Sequence, residues 1–480
     1  MSQSSTDSGA GLLVELRRGS AVALHRQLEA SIRDAIRSGR LRFGNVLPPT
    51  RTLAADLGVS RGVVVEAYQQ LLAEGYLTSR TGGHTRVAIH PAHSGGGAHP
   101  APVAASRIDF RYGRADMTRF PRAAWLRSYR RALIEAPTER LGYPTGRGAP
   151  ELHDALADYL NRVRGTFARP ENIVVCNGYA QGVALVIAAL ARSGARRLAV
   201  EDPSSEDDAR LIAPTHGLDV VGIPVAADGI RVDALERSGA DAVIVTPSHQ
   251  WPTGALLPAE SRAAILRWAR RRGALVIEDD YDAEFRYDRA PVGAMQGLAP
   301  EQVIYAGTAS KTLAPGLRLG WLVLPDHLVD GVAEAKMIAD RGSPVLDQLT
   351  FADFLSRGEF DRHLRALRPV YRHRRDALLR ALRAHVPDLR PTGVAAGFHL
   401  VTWLPPGLDE NSVVDGAAAR GLGVYGIAPY RIAPGEPALL FGYAGLNEAA
   451  IAEGIAILGE VVRGLQRRPI ALGGSDQQGF

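Results

Sequence analysis

The chain has 480 residues, 46% of them hydrophobic and 22% charged, and a formal net charge of +5. That length exceeds one ordinary core, so two or more domains are expected, and the balance is that of a soluble globular protein and not of a disordered or fibrous one. A single cysteine, Cys176, excludes an internal disulfide and fits a reducing compartment, and no apolar run approaches the roughly 20 residues of a membrane helix.

The polar start, residues 1–11, lacks the charged and apolar stretches of a signal peptide, so a cytoplasmic location is expected. Leu24, Leu28, Ile32 and Ile36 then recur at helical spacing, with Gly39 as a stop. Pro48-Pro49-Thr50 opens a short helix over residues 51–57; Gly58 turns the chain, and Ser60 is expected to cap a second helix running to about Glu74. Two short helices around such a turn make a helix-turn-helix. Residues 76–80 and 85–89, joined by Thr81-Gly82-Gly83-His84, form a hairpin wing. Residues 1–90 hold 11 arginines against 7 acids, so a basic module leads a nearly neutral body, as expected of a segment facing nucleic acid.

The run Leu47-Pro-Pro-Thr-Arg-Thr-Leu-Ala-Ala-Asp-Leu-Gly-Val-Ser-Arg61, with Ala67-Tyr68 and Leu72-Ala-Glu-Gly-Tyr-Leu77 behind it, closely resembles the GntR-type winged helix-turn-helix. The resemblance implies that Arg51 and Arg61 touch DNA, that Ser60 contacts a phosphate and that Gly82 lets the wing approach the minor groove. Physics suits these roles: the start of a recognition helix offers free amides to phosphate, and an arginine there reaches base edges or backbone. Gly62 and Val63 stand where the family has polar contact residues, so no base preference carries over.

The expected organisation is a winged helix-turn-helix domain over residues 1–89, a flexible proline- and glycine-rich linker over 90–107, an effector domain over 108–466 and a tail over 467–480. The linker's His90, His93 and His99 read as solvated residues, and no metal site is expected. The body alternates short apolar runs (173–175, 197–200, 242–246, 274–278, 303–306 and 319–324) with amphipathic stretches such as 181–192 and 259–272. This is the pattern of a doubly wound, mostly parallel α/β sheet, and residues from Val345 onward read as a smaller α+β lobe. Cys176 falls in one of the apolar runs and reads as core.

Among 56 basic residues only Lys311 and Lys336 are lysine. An ammonium can lose its proton and attack a carbonyl, whereas guanidinium stays charged. Lys311 lies in Thr308-Ala-Ser-Lys-Thr-Leu-Ala-Pro-Gly-Leu-Arg-Leu-Gly320. Here Thr308 and Ser310 offer hydroxyls, Gly316 permits close backbone approach and Arg318 offers a fork that matches phosphate. Together these suit pyridoxal 5'-phosphate (PLP) held as a Schiff base. Lys336 reads as an ordinary surface lysine. The acidic run Glu278-Asp-Asp-Tyr-Asp-Ala-Glu-Phe-Arg-Tyr287 follows a strand, where α/β ligand sites form. Asp279 is assigned to the pyridine nitrogen and Tyr281 to the ring oxygen, with Asp280 the open alternative to Asp279. In Asn177-Gly-Tyr-Ala-Gln-Gly182 the amides of Tyr179 and Ala180 cradle the phosphate, and in Thr246-Pro-Ser-His-Gln-Trp-Pro-Thr-Gly254 His249 neighbours the ring.

Ile108-Asp-Phe-Arg with Phe120-Pro and Trp125, Gly142-Tyr-Pro-Thr-Gly-Arg-Gly148 and the PLP-type motifs together resemble fold type I aminotransferases. With the GntR-like head, the chain resembles the MocR/GabR family of bacterial transcription regulators over residues 20–465. The resemblance implies a homodimer, head-to-tail, whose two readers engage a double-stranded operator. It also implies a small-molecule effector: either PLP itself, as in the branch controlling vitamin B6 synthesis, or an amine or amino acid forming an external aldimine. Three departures stand out. Ser205 replaces a ring-stacking aromatic, Trp251 stands where many aminotransferases have asparagine, and Leu440 falls where they place the arginine that grips a substrate carboxylate; Arg431 lies nearby. The expectation is a PLP-binding regulator that does not sustain transamination, against the alternative of an active aminotransferase with an accessory DNA-binding head.

Overall fold

The computed structural model describes residues 16–79, 84–88, 106–113, 115–204, 207–287, 292–393 and 396–467. Their contacts divide the chain into one unit over Met1–Val103 and another over Ala104–Phe480.

In the first unit α1 (Leu24–Arg37) turns Leu28, Ile32 and Ile36 inward, the face that the four-residue spacing promised. Helices α2 (Thr50–Asp56) and α3 (Arg61–Ala73) flank Gly58, whose φ of +63° makes the turn. Val64, Ala67, Tyr68 and Leu71 of α3 close the small core with Leu53 of α2. Strand β1 (Leu77–Thr78) pairs antiparallel with β2 (Arg86–Val87), a hairpin shorter than expected, and Gly82 lies outside the described residues. Ser60 occupies the N-cap of α3 without a capping side-chain bond, contrary to expectation, because the Val63 amide instead donates to its backbone carbonyl at 3.1 Å.

The second unit is built on eight strands: β3 (Ile173–Cys176), β4 (Arg197–Asp202), β5 (Asp219–Ala226), β6 (Gly229–Ile230), β7 (Ala242–Val245), β8 (Leu275–Asp280), β9 (Val303–Thr308) and β10 (Gly320–Val323). Their order is β3-β10-β9-β8-β7-β4-β5-β6. The central five are parallel, while β10 and β6 run antiparallel to their neighbours. Each of the six apolar runs read from the sequence falls on one of these strands, and apart from the exposed Arg197 and half-buried Leu275 their residues are buried, so both faces of the sheet are covered. Strands β5 and β6 escaped the sequence reading because Gly222 and Pro224 break the apolar pattern of β5, and Pro is tolerated near a sheet edge.

Helix α4 (Tyr179–Arg192) follows β3, and α5 (Asp326–Asp340) packs against it in a shared core with β3, β9 and β10. The smaller lobe joins α6 (Glu359–His385) to an antiparallel sheet of β11 (Arg390–Thr392), β12 (His399–Trp403), β13 (Tyr425–Gly426) and β14 (Ala438–Gly442), in the order β11-β12-β14-β13. Cys176 is buried, and burial pushes its thiol up to about 12. Among the described residues no helix is long and apolar enough to cross a membrane.

Candidate functional site

The carboxyl ends of β8 and β9 and the start of α4 converge at the crevice where ligands of open α/β sheets bind. Lys311, just beyond β9, reaches the carbonyl of Gly113 at 3.0 Å. Burial holds its ammonium below the ordinary lysine range, and the carboxylates of Asp279 and Asp282 pull it partly back up. The buried Ser310 amide donates to Thr308 Oγ1 at 3.2 Å, and the two hydroxyls lie 3.0 Å apart.

Strand alternation separates the two aspartates that the sequence left open. Asp280 turns away from Lys311 into a fully buried pair with Arg164 Nε at 2.7 Å, and Tyr305 donates to the same oxygen at 2.8 Å. Asp279, also buried, acts on Lys311.

After β8 the chain carries Tyr281 and Asp282 into a second cluster. Tyr281 donates to the His249 carbonyl at 2.9 Å, and His249 Nδ1 lies 2.8 Å from Asp282 Oδ2. His249 Nε2 is buried with no partner among the described residues. His399 of β12 completes the group, its ring 5.0 Å from that of His249, and burial drives its pKa well below the ordinary histidine value. The cluster closes only because Gly397 has φ of +80° and no side chain: a Cβ there would stand 2.4 Å from Asp282 Oδ2. Asp282 and His399 went unread in the sequence. Asp282 is visible in the acidic run, but nothing local ties it to a histidine 33 residues earlier.

At the other side of the crevice α4 begins at Tyr179, with Ala180 behind it and Gly178 as an N-cap that has no side chain to satisfy the first amides. Arg318, in the left-handed region at φ +50°, donates through Nη2 to the Asn177 carbonyl at 2.5 Å. A Cβ on Gly178 would meet that guanidinium nitrogen at 2.7 Å, so Gly178, and not Gly316, is the glycine of close approach; a Cβ at Gly316 would meet open space. A helix start at Tyr179, an arginine fork and two hydroxyls near a half-buried lysine of lowered pKa form a donor set that suits an aldehyde carrying a phosphate. Lys336 is not a surface residue: it lies on the inner face of α5, fully buried, with its ammonium on Asp340.

Leu440 is fully buried on β14, between Val401 of β12 and Tyr425 of β13, and packs with Trp251, Ile427 and Ala438. Trp251 lies edge-on to Tyr430, ring centres 4.6 Å apart. Arg431 donates to the Glu436 carbonyl at 2.9 Å. Ser205 lies outside the described residues. In the first unit Arg51, Ser60 and Arg61 are exposed, and Arg61 Nε lies 3.4 Å from Thr50 Oγ1.

Residues 114–455 match the family model "Aminotransferase class I and II", and residues 24–87 match "Bacterial regulatory proteins, gntR family". The chain is 34% identical to the probable rhizopine catabolism regulatory protein MocR of Rhizobium meliloti, over 92% of this chain and 94% of that one. It is 30% identical to the pyridoxine biosynthesis transcriptional regulator PdxR of Corynebacterium glutamicum, over 94% and 99%. Among solved structures, the α-aminoadipate aminotransferase LysN of Thermus thermophilus, complexed with N-(5'-phosphopyridoxyl)-L-leucine, is similar at a TM-score of 0.67 and 29% identity, over 75% of this chain and 92% of that one. Membership of this family brings PLP as the cofactor of the body. The chain belongs to the aminotransferase class I and II family and, with its gntR head, to the MocR-type DNA-binding transcription regulators.

Proposed function

We propose that the body holds PLP on Lys311 as a sensor and that its occupancy, or that of an amine condensed with it, sets how two heads engage an operator. The observation that carries this reading is the combination of a half-buried lysine of lowered pKa near Asp279 with a head whose Arg51 and Arg61 stay exposed. When bound, PLP supplies an electrophilic carbonyl and an electron sink for amines.

The chain's own residues do the rest. Lys311 Nζ, its pKa lowered by burial, is the nucleophile for the carbonyl. Asp279 holds a proton at the pyridine nitrogen, Tyr281 bonds the ring oxygen, and His249 borders the ring. The amides of Tyr179 and Ala180, the hydroxyls of Thr308 and Ser310, and Arg318 bind the phosphate. In the head Arg51 and Arg61 contact DNA, Ser60 contacts a phosphate, and Gly82 lets the wing approach the minor groove. The domains divide at residues 1–89, 90–107, 108–466 and 467–480. The protein works in the cytoplasm as a head-to-tail homodimer, so that two readers fit two half-sites.

The body does not sustain transamination. The neighbourhood of Leu440 is apolar (Trp251, Val401, Ile427), so a substrate carboxylate there lacks a bidentate partner. Loss of orientation can forfeit about 7–11 kcal/mol of barrier reduction. A small molecule then acts by binding two arrangements of the heads with different affinity.

A titration of operator DNA with and without PLP and candidate amines, paired with steady-state assays of amino donors and keto acids, tests the reading. Expected are a PLP- or amine-dependent change in operator affinity and no sustained turnover. Multiple turnovers at about 1 per second or faster, with operator affinity indifferent to every ligand, would replace the sensor by an aminotransferase.

A further inference from the structure

The second lysine lies beneath the turn that opens α4. Lys336 is fully buried on α5 and donates to Asp340 Oδ2, one helical turn on, at 2.5 Å. The same oxygen accepts the side-chain amides of Asn177 at 2.8 Å and Gln181 at 2.7 Å, while Asp340 Oδ1 accepts the Gly342 amide at 2.9 Å. Asn177 is gripped at three points. Its side chain is on Asp340, its own amide donates to Gln181 Oε1 at 2.7 Å, and its carbonyl accepts Arg318 Nη2 at 2.5 Å. Asn177 leads directly into Gly178 and the first amides of α4.

Composition agrees with this placement. A chain that uses arginine at 54 of its 56 basic positions keeps lysine here, where a fully enclosed cation meets one carboxylate oxygen. A guanidinium would bring five donors and a wide planar fork into a fully enclosed place, whereas a compact ammonium suits the single Asp340 oxygen it meets. Although burial opposes ionisation, the bonds from Lys336 and Gln181 bring the Asp340 carboxyl below the usual aspartate range, so it accepts as a carboxylate.

We propose that Lys336 and Asp340 are positioning residues that hold the Asn177–Gly178 turn in the form that receives the cofactor phosphate. The inference rests on the reading of the body as a PLP site. Without the ammonium, the half-buried Asp340 gains by turning to solvent, and Asn177 and Gln181 lose their shared acceptor. The α4 amides and Arg318 then no longer converge. The carbonyl-binding half of the site at Lys311 follows β9 and is left intact.

The test titrates the full-length apoprotein with PLP and, separately, with pyridoxal, which lacks only the phosphate, reading the bound chromophore in wild type, Lys336→Met and Asp340→Asn. Both variants are expected to lose about tenfold or more in PLP affinity while pyridoxal affinity stays unchanged. Equal loss for the two ligands, or no loss for either, would overturn the proposal. A wild-type chain that binds neither ligand would instead sink the cofactor reading itself. Circular dichroism reports whether Lys336→Met folds; if it does not, Asp340→Asn, an isosteric change at a half-buried position, carries the test alone.

Discussion

The head and the body treat charge in opposite ways. In the head Arg51 and Arg61 stand exposed on short helices, and the pair of Arg33 with Glu74 lies at the surface. In the body Asp279, Asp280, Asp282 and Arg164 are withdrawn from water and Lys311 is half-buried, each held by strand register or by a partner on a different element. A reader of DNA gains from charges that remain hydrated until phosphate displaces their counterions. A chemical site gains from charges whose proton affinity the protein has already altered. The contrast predicts that single changes in the body act steeply on cofactor and fold, and that changes in the head act gradually and with salt.

The largest effect is expected at Lys311. Lys311→Ala should abolish the covalently held chromophore while circular dichroism stays that of the wild type, and borohydride should label the peptide containing Lys311 in the native chain. Label on the buried Lys336 instead would break the assignment. Next comes the ion pair under β8. Asp280→Asn leaves the Arg164 guanidinium buried without its carboxylate, and denaturant unfolding should report a loss of about 3–5 kcal/mol. The equivalent cut in the head, Arg33→Met, should change stability little, because that pair is open to solvent. Similar losses in both would erase the distinction.

Those two residues also show where the sequence stopped being legible. Helices in the head followed from four-residue spacing and one glycine, both local signals, and the body strands followed from apolar runs that a parallel sheet buries on both sides. Lys311, Tyr281 and the pair Asp279 and Asp280 could be picked out by residue type. Strand alternation puts the two on opposite faces, but that Asp280 is the one paired with Arg164, 116 residues away, is carried by no local pattern. His399 and Gly397 enter the site from the smaller lobe, and Lys336 looked like a surface residue because helical position alone does not say which side meets the sheet.

A pH series sharpens the comparison further. Burial pushes Glu201 up to about 7, against the bonds it accepts from Thr246 and Gln250. An acid whose folded pKa is raised contributes stability that is complete below its unfolded value and is lost as pH rises through the folded one. Glu201→Gln stays neutral throughout. Its advantage over wild type should therefore be small near about pH 5 and grow to about 3 kcal/mol by about pH 8. A gap that shrinks with rising pH would contradict the burial of a protonated Glu201.

The smallest of these effects belongs to the head. Arg61 opens α3 with its side chain exposed, and its bond to Thr50 Oγ1 is a weak one at 3.4 Å, so the guanidinium gives up little there when it meets DNA. If it makes a bidentate base contact, Arg61→Ala should cost about 1–3 kcal/mol of operator affinity and relax preference at one base position. If it meets phosphate, the loss should be nearly uniform across sequences, and the slope of log affinity against log salt should fall by about one. Neither outcome should move the chromophore or the melting of the body, since no buried partner is disturbed. Operator affinity that is unchanged in Arg61→Ala over a range of salt would remove this residue from the interface.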